Sequence, residues 1–558
     1  MLIFFITVLG LGYFSIKNAL LPKLGNGLTL LAGFCLGSAV LSVLSYILVL
    51  LSHFLPVLLY LGSYAIFFFS TIVLIRGFWL GELKLLVTAN MVLGLIMVSL
   101  LMLIRFAFLK YIILPPYSDS PIHYQIVSGF LHPSAPDNGL QLSFDTILSE
   151  YYHFGFHSLA TWLALVADVG VASAISLLGQ IFLVTAPLCM MFLVYAITEN
   201  VGGAVFAGLL SAIAWIMPSF SINWGKFPAL FAISTFPAIV SLLFLMFLRK
   251  VEKMKVFLSL IFMIGITFIH TRIFIVMLLG VVVFLIIDKL KIRGELGFFQ
   301  SIRFTALFLL SLWPLSQIII DFYYGPLTLM VLLFLIPFAF QIYSTAAIGV
   351  LIFTSGLSLI TLIPNYLSVG GQSLLDRQFL AMFLYIPFSL MGGLGISGLI
   401  KKLDLQPVHK TAVLAAFMGG IIFSSNSQSF YPDTCCNYFR EGDRLAFQWI
   451  QNNISPHNLY FISTFTDGDK TYGTDAGVWI SPLTSLPSNK LPHKTHWDKA
   501  DIKDQICPSD LSESYIYMGG TQSSFDNNQL IQVSWIVPVF KSGEVVIYKV
   551  SNCSNIDE

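Results

Sequence analysis

The chain reads as a mostly α-helical, polytopic membrane protein with about 14 transmembrane helices and a C-terminal soluble α/β or α+β domain. Three observations carry that reading. Of the 558 residues, 57% are hydrophobic and only 10% are charged, where soluble domains carry roughly 25%, and the mean hydropathy is +0.85. Apolar runs of about 17 to 25 residues, each enough to cross a hydrocarbon core, recur down to about residue 425. Beyond about residue 427 the runs shorten, and Asn, Ser, Asp and Pro become frequent.

The spans fall near 2–16, 27–51, 55–76, 86–109, 174–198, 202–217, 228–248, 256–270, 273–288, 304–320, 326–342, 346–363, 378–399 and 411–425. The segment 156–170 is shorter and carries Asp168, which favours a helix lying in or dipping into the membrane surface. The apolar N-terminus precedes its first charge, Lys17, whereas a cleavable signal follows a basic region. A retained first span is therefore expected. A multi-span domain over 1–426, with a large external loop at about 110–173, then precedes a soluble domain over 427–558.

Charge asymmetry orients the chain. One set of loops carries Lys17, Lys23, Arg76, Lys84, Arg249, Lys250, Lys253, Lys255, Lys289, Lys291, Arg293, Lys401, Lys402 and Lys410. The opposite set offers Lys110, Lys226, Arg272 and Arg377. The loop 110–173 and the C-terminal domain are then expected outside the cytoplasm, in a plasma membrane. A net charge of +1 gives no argument for nucleic acid.

In the C-terminal part, 441–452 has helical periodicity, with Leu445, Phe447, Trp449 and Ile450 among polar residues. Strand-like pieces follow at 458–464, 515–517, 531–537 and 544–550. Cys35 and Cys189 sit in apolar runs as packing residues. Cys435, Cys436, Cys507 and Cys553 lie in the polar part, an even number compatible with disulfides in an oxidising compartment.

Titratable groups collect where a span ends. Tyr117-Ser-Asp119-Ser-Pro-Ile-His123 opens the first substantial polar loop, which also holds Asp137, Asp145, Glu150, His153 and His157. Such groups at the lip of a bilayer mark a site acting on something presented there. Asp119 can take the proton of an attacking hydroxyl, or hold a divalent cation such as Mg or Mn against a phosphate. Ser-Asp-Ser-Pro is equally good turn chemistry. With Pro121 in a first helical turn, His123 shares a face with Asp119.

His153 and His157 stand at i, i+4, a metal-ligand spacing. However, Gly155 weakens the helix between them, and no third ligand is evident. Among the scarce external cations, Arg377 follows Asp376, Arg272 follows His270, and Lys226 lies in Asn223-Trp-Gly-Lys226-Phe-Pro228. Each is a candidate clamp for a substrate phosphate. Asp376 or a lipid phosphate is the structural partner to weigh against that role. Asp475-Ala-Gly-Val-Trp479-Ile-Ser-Pro482 reads either as a sugar-binding surface or, more simply, as a buried Trp beside a turn.

Several of these segments resemble one family. Tyr117-Ser-Asp119-Ser-Pro-Ile-His123 resembles the acidic motif of GT-C fold glycosyltransferases. Tyr151-Tyr-His-Phe-Gly-Phe-His157 resembles a Tyr-Pro-x-Gly-Phe-His segment of bacterial and archaeal members, with His153 where the pattern has Pro. Trp224-Gly-Lys-Phe-Pro228 and Asp475–Thr484 look like further landmarks. The resemblance implies a many-span transferase that takes a sugar from a polyprenyl-phosphate donor outside the cytoplasm. The loop Asp would act as base or metal ligand.

The expected reaction is an inverting transfer to a glycan, lipid or protein acceptor. Asp119 and His123 are the expected catalytic residues, with His157, Lys226, His270, Arg272 and Arg377 binding substrate. Two alternatives stand beside it: an O-antigen ligase or polymerase relying on external Arg and His, and a transporter or flippase with polar groups at mid-membrane.

Overall fold

The computed structural model describes residues 1–16, 26–81, 89–133, 144–149, 152–248, 264–266, 268–290, 294–320, 323–362, 368–369, 372–373, 375–403, 406–424, 430–455, 458–467, 470–507 and 513–551. The rest of the expected 256–270 segment, the acids Asp137 and Glu150, and Cys553 lie outside them.

Long apolar runs become helices because a bilayer leaves each backbone amide only its own helix to bond with. Helices cover Leu2–Ile16, Asn26–Ser52, Val57–Trp79, Ala89–Leu109, Val171–Thr198, Val201–Leu209, Phe227–Leu248, Thr271–Leu290, Phe298–Ser311, Pro326–Ile342, Ser344–Leu362, Arg377–Phe383, Tyr385–Lys402 and Pro407–Ser424. These fall where the apolar runs place them. The expected count of about 14 spans is not confirmed. Among the described residues, 8 helices are long and apolar enough to cross a membrane, or up to 9 if a bent pair, Phe298–Ser311 with Trp313–Ile319, is one span. Others, such as Leu2–Ser15 and Val201–Ala214, are apolar but short. Breaks divide runs that hydropathy alone reads as continuous.

The bundle has an inside and an outside. Arg377–Lys402, Phe227–Leu245 and Val171–Thr198 are buried along most of their length. Val57–Trp79 and Thr271–Leu290 turn Phe68, Ile72, Phe78, Val282 and Leu285 outward. A broad apolar exterior of this kind needs lipid around it, and the chain is an integral membrane protein.

The loop 110–173 is itself helical, with Ser120–Leu131, Phe144–Ser149 and Gly155–Val166. The last was expected at the membrane surface. It is instead buried on nearly every side, from Gly155 to Val166. At about 1.5 Å per residue it is too short to span, so it dips into the bundle. A small antiparallel hairpin, β1 (Ser368–Val369) with β2 (Gln372–Ser373), precedes helix Arg377–Phe383.

The C-terminal sheet is mixed. Its strands are β3 (Leu459–Asp467), β4 (Lys470–Gly473), β5 (Ser488–Pro492), β6 (Ser514–Met518), β7 (Ile536–Ser542) and β8 (Val545–Val550). The order is β4-β3-β6-β8-β7, and β5 also pairs with β3. Pairs β3–β5 and β3–β6 are parallel, and the others are antiparallel. Helix Glu441–Asn453 forms as its periodicity predicts and buries Ala446, Phe447 and Ile450.

One strand is displaced from its expected place. The expected 531–537 piece follows a short helix, Asn527–Leu530, capped by the Asp526 side chain, and pairing begins only at Ile536. That strand runs through Pro538, tolerated because β7 is an edge strand with a bulge beside it. Cys435 and Cys436 are joined in a vicinal disulfide, and Cys507 is also disulfide-bonded. Cys35 and Cys189 are free and buried, as their apolar runs imply.

Candidate functional site

Helices Ser120–Leu131, Gly155–Val166, Phe227–Leu248, Thr271–Leu290 and Arg377–Phe383 all begin at one level of the bundle. At or just before their first turns stand Asp119, His157, Lys226, Arg272 and Asp376. Helix N-termini expose unbonded amides and a partial positive charge, so anions are favoured there.

Asp119 occupies the N-cap position of Ser120–Leu131, with Pro121 in the first turn, but its carboxylate does not cap the helix. Instead its Oδ2 accepts from the Lys226 ammonium at 2.5 Å, and both side chains are about one-quarter exposed. Gly225 makes that approach feasible. Its φ is +63°, and an added Cβ would stand 2.8 Å from Ser120 Oγ and 3.1 Å from the Pro116 carbonyl oxygen. The turn also aims the Gly225 carbonyl at His123 Nε2, 2.9 Å away. A carbonyl only accepts, so Nε2 carries the hydrogen. Burial pushes His123 down to about 4 despite Asp119 nearby. In that neutral ring Nδ1 accepts, and His157 Nε2 donates to it at 2.9 Å.

A second ion pair completes the site. Arg272 Nη1 lies 2.9 Å from Asp376 Oδ2, while Asp376 Oδ1 accepts from the Phe379 amide at 2.7 Å as the N-cap of Arg377–Phe383. Aromatic rings join the two pairs. Tyr152 stacks on His153 with centroids 4.2 Å apart and meets His157 edge-on at 5.5 Å. His153 lies 4.4 Å from His270, which stacks on Phe379 at 5.5 Å. Burial, then His123 and the positive charge of Arg272 and Lys226, drives His153 down to about 3. The Tyr152 hydroxyl is held well above its usual range by burial and by Asp119. The imidazoles are thus neutral near pH 7, and the fixed charges are two cations and two carboxylates.

The structure therefore brings together Asp119, His123, His157, Lys226, His270 and Arg272. Arg377 is exposed, and Asp376 Oδ2 bonds Arg272. His123 does not reach for Asp119, because its two ring nitrogens are engaged elsewhere. Trp479 is fully buried and packs edge-on against Tyr124 of the Asp119 helix at 5.7 Å. It anchors the sheet region to that helix and offers no open sugar surface.

Among the described residues, the donor set around Asp119 does not make a divalent-cation site. The Lys226 ammonium occupies its Oδ2, and among the described residues no three His, Cys, Asp or Glu groups stand close enough to share an ion. The i, i+4 histidines are no metal pair either, since His157 Nε2 bonds His123.

Sequence reasoning missed Tyr152, Gly225 and Asp376 as parts of the site. It also missed Arg105, a cation inside an apolar run, which is the usual signal of an intramembrane role. Arg105 is buried. It donates to the Ala212 carbonyl at 3.2 Å and to Ser219 Oγ, and it lies over the Phe430 ring at 5.5 Å. It ties the π-helix Leu210–Ala214 to the start of the C-terminal region.

No family model matches the chain, and no curated protein matches it. Among solved structures, the arabinofuranosyltransferase AftD from Mycobacteria is similar at 10% identity and a TM-score of 0.41, over 82% of this chain and 40% of AftD. Two structures of an AftD mutant give TM-scores of 0.36 and 0.31 at 10% and 11% identity, over 82% and 71% of this chain and 41% and 36% of theirs. The chain thus spans well under half of AftD. At these scores the likeness carries no functional argument, which rests on the site.

Proposed function

We propose that the chain is a membrane glycosyltransferase that moves a sugar from a polyprenyl-phosphate donor to a hydroxyl of a glycan, lipid or protein. The supporting observation is the Asp119–Lys226 pair at 2.5 Å, set beside Arg272 where five helices begin. A carboxylate next to anion-favouring groups, at one level of a lipid-solvated bundle, suits a reaction that removes a proton and releases a phosphate.

In this reading Asp119 takes the proton of the acceptor hydroxyl. That oxygen bonds the anomeric carbon as the bond from carbon to phosphate oxygen breaks, inverting the centre. The prenyl phosphate leaves with the electron pair, and Lys226 and Arg272 offset its negative charge. Exposed Arg377, next to Asp376, adds a contact to the lipid phosphate. His123 is a positioning residue: through Gly225 it holds the turn that presents Lys226. His157 and His270 shape the donor pocket. The C-terminal sheet, packed on the Asp119 helix through Trp479 and Tyr124, borders the acceptor site on the extracytoplasmic side, as the loop charges favour.

The test is Asp119→Asn, assayed for transfer from a labelled polyprenyl-phosphate sugar in reconstituted vesicles. The variant should unfold at the wild-type temperature, within a few degrees, and transfer nothing. Full turnover would remove Asp119 from the reaction. Movement of the intact donor across the bilayer without bond cleavage would favour a flippase instead.

A further inference from the structure

We propose that the end of the bundle away from Asp119 holds a resident phospholipid with an amine head group, one acyl chain seated inside the protein. A cavity of about 630 Å³ lies there, within the range of small-molecule sites. Phe236, Val240, Phe284 and Leu390 line its apolar part, and Asp288, Glu295 and Lys401 stand at its polar end.

Two helices locate it. Phe227–Leu248 starts beside Lys226 and reaches the cavity at Phe236. Thr271–Leu290 starts at Arg272, reaches it at Gly280 and leaves it at Asp288. At about 1.5 Å per residue, Gly280 lies about 12 Å and Asp288 about 24 Å beyond Arg272. That is most of a roughly 30 Å hydrocarbon core. The apolar part therefore sits within the membrane and the polar end at the surface opposite the Asp119 site. An amphiphile with its head at that surface has the same distribution.

The rim is preformed. The Leu296 amide donates to the Gln341 carbonyl at 2.9 Å, and Ser344 Oγ donates to the Gly294 carbonyl at 2.6 Å. Glu295 and Lys401 pair at 3.5 Å, each more than half exposed, so an entering head group can take either partner. Among the described residues, the two carboxylates and one ammonium at this end match a zwitterion, with its amine on Asp288 and Glu295 and its phosphate on Lys401.

Buried rings separate the cavity from the Arg272 site. Phe236 meets Phe383 at 5.3 Å, Phe383 stacks on Phe379 at 6.1 Å, and Phe379 stacks on His270. The inference does not depend on the transferase reading.

The test uses the full chain in nanodiscs of equal phosphatidylethanolamine and phosphatidylglycerol. Exchange into detergent follows, with mass spectrometry of the retained lipid. Wild type should retain phosphatidylethanolamine in excess. Nothing lies within 4 Å of a Cβ added at Gly280, so Gly280→Phe should send its ring into the cavity and lower retention about tenfold, while Gly280→Ala keeps it. Glu295→Lys should turn the preference towards phosphatidylglycerol. Unchanged retention in a folded Gly280→Phe overturns the proposal. So does a wild-type preference for phosphatidylglycerol, or retention of a polyprenyl phosphate. If Gly280→Phe does not fold, the wild-type preference and Glu295→Lys decide.

Discussion

Replacing Gly225 by Ala tests whether one turn holds the site together. The residue has φ +63°, where an L side chain costs about 1–2 kcal/mol. The new methyl would also stand 2.8 Å from Ser120 Oγ, 3.1 Å from the Pro116 oxygen and 3.3 Å from the Ser120 nitrogen. Ser120 could swing away only by giving up its bond to the Pro116 carbonyl, and the other two atoms are backbone. Overpacking of this kind adds about 1–3 kcal/mol, for a loss of about 2–5 kcal/mol in all. Relaxing the clash moves the Gly225 carbonyl off His123 and Lys226 off Asp119, so transfer should fall along with stability. Reversible unfolding in mixed micelles measures the first, and initial rates on a labelled donor measure the second. Gly280→Ala is the control: it has open space and should gain up to about 1 kcal/mol from helix propensity. A Gly225→Ala loss below about 0.5 kcal/mol, the range of an ordinary surface change, with an unchanged rate would refute the close approach.

Three further outcomes are expected. His123→Phe strips partners from both the Gly225 carbonyl and the His157 Nε2 hydrogen, so it should destabilise by about 2–6 kcal/mol, more than His157→Phe, in chemical unfolding. Asp376→Asn keeps an oxygen for the Phe379 amide but loses the Arg272 pair, whereas Asp376→Ala loses both; the Ala variant should be less stable by about a further 1 kcal/mol, with donor KM raised in both. Buried Asp475 accepts from Gly477, Gly519 and Ser524, yet burial pushes it up to about 6 from its ordinary 3.8. The folded state thus holds this proton more tightly than the unfolded state. Stability from the group is present below about pH 4 and is lost as pH rises through 6, by about 3 kcal/mol at pH 7. Unfolding of wild type and Asp475→Asn from pH 4 to 7 should differ by that slope, and parallel curves would count against it.

Hydropathy alone located the helices, because a backbone crossing hydrocarbon must bond to itself over about 20 residues. Local chemistry likewise marked the Asp119 turn, with Pro121 opening its helix, and the periodic helix Glu441–Asn453. Which helices span, and which break or dip, was decided by tertiary packing. A helix apolar on every side carries no record of the face it turns inward. For the same reason the sequence could not pair Asp119 with Lys226, 107 positions away, or give Asp376 to Arg272 and leave Arg377 exposed. Those partners meet because separate helices begin at one level. Only the packing of the bundle sets that level.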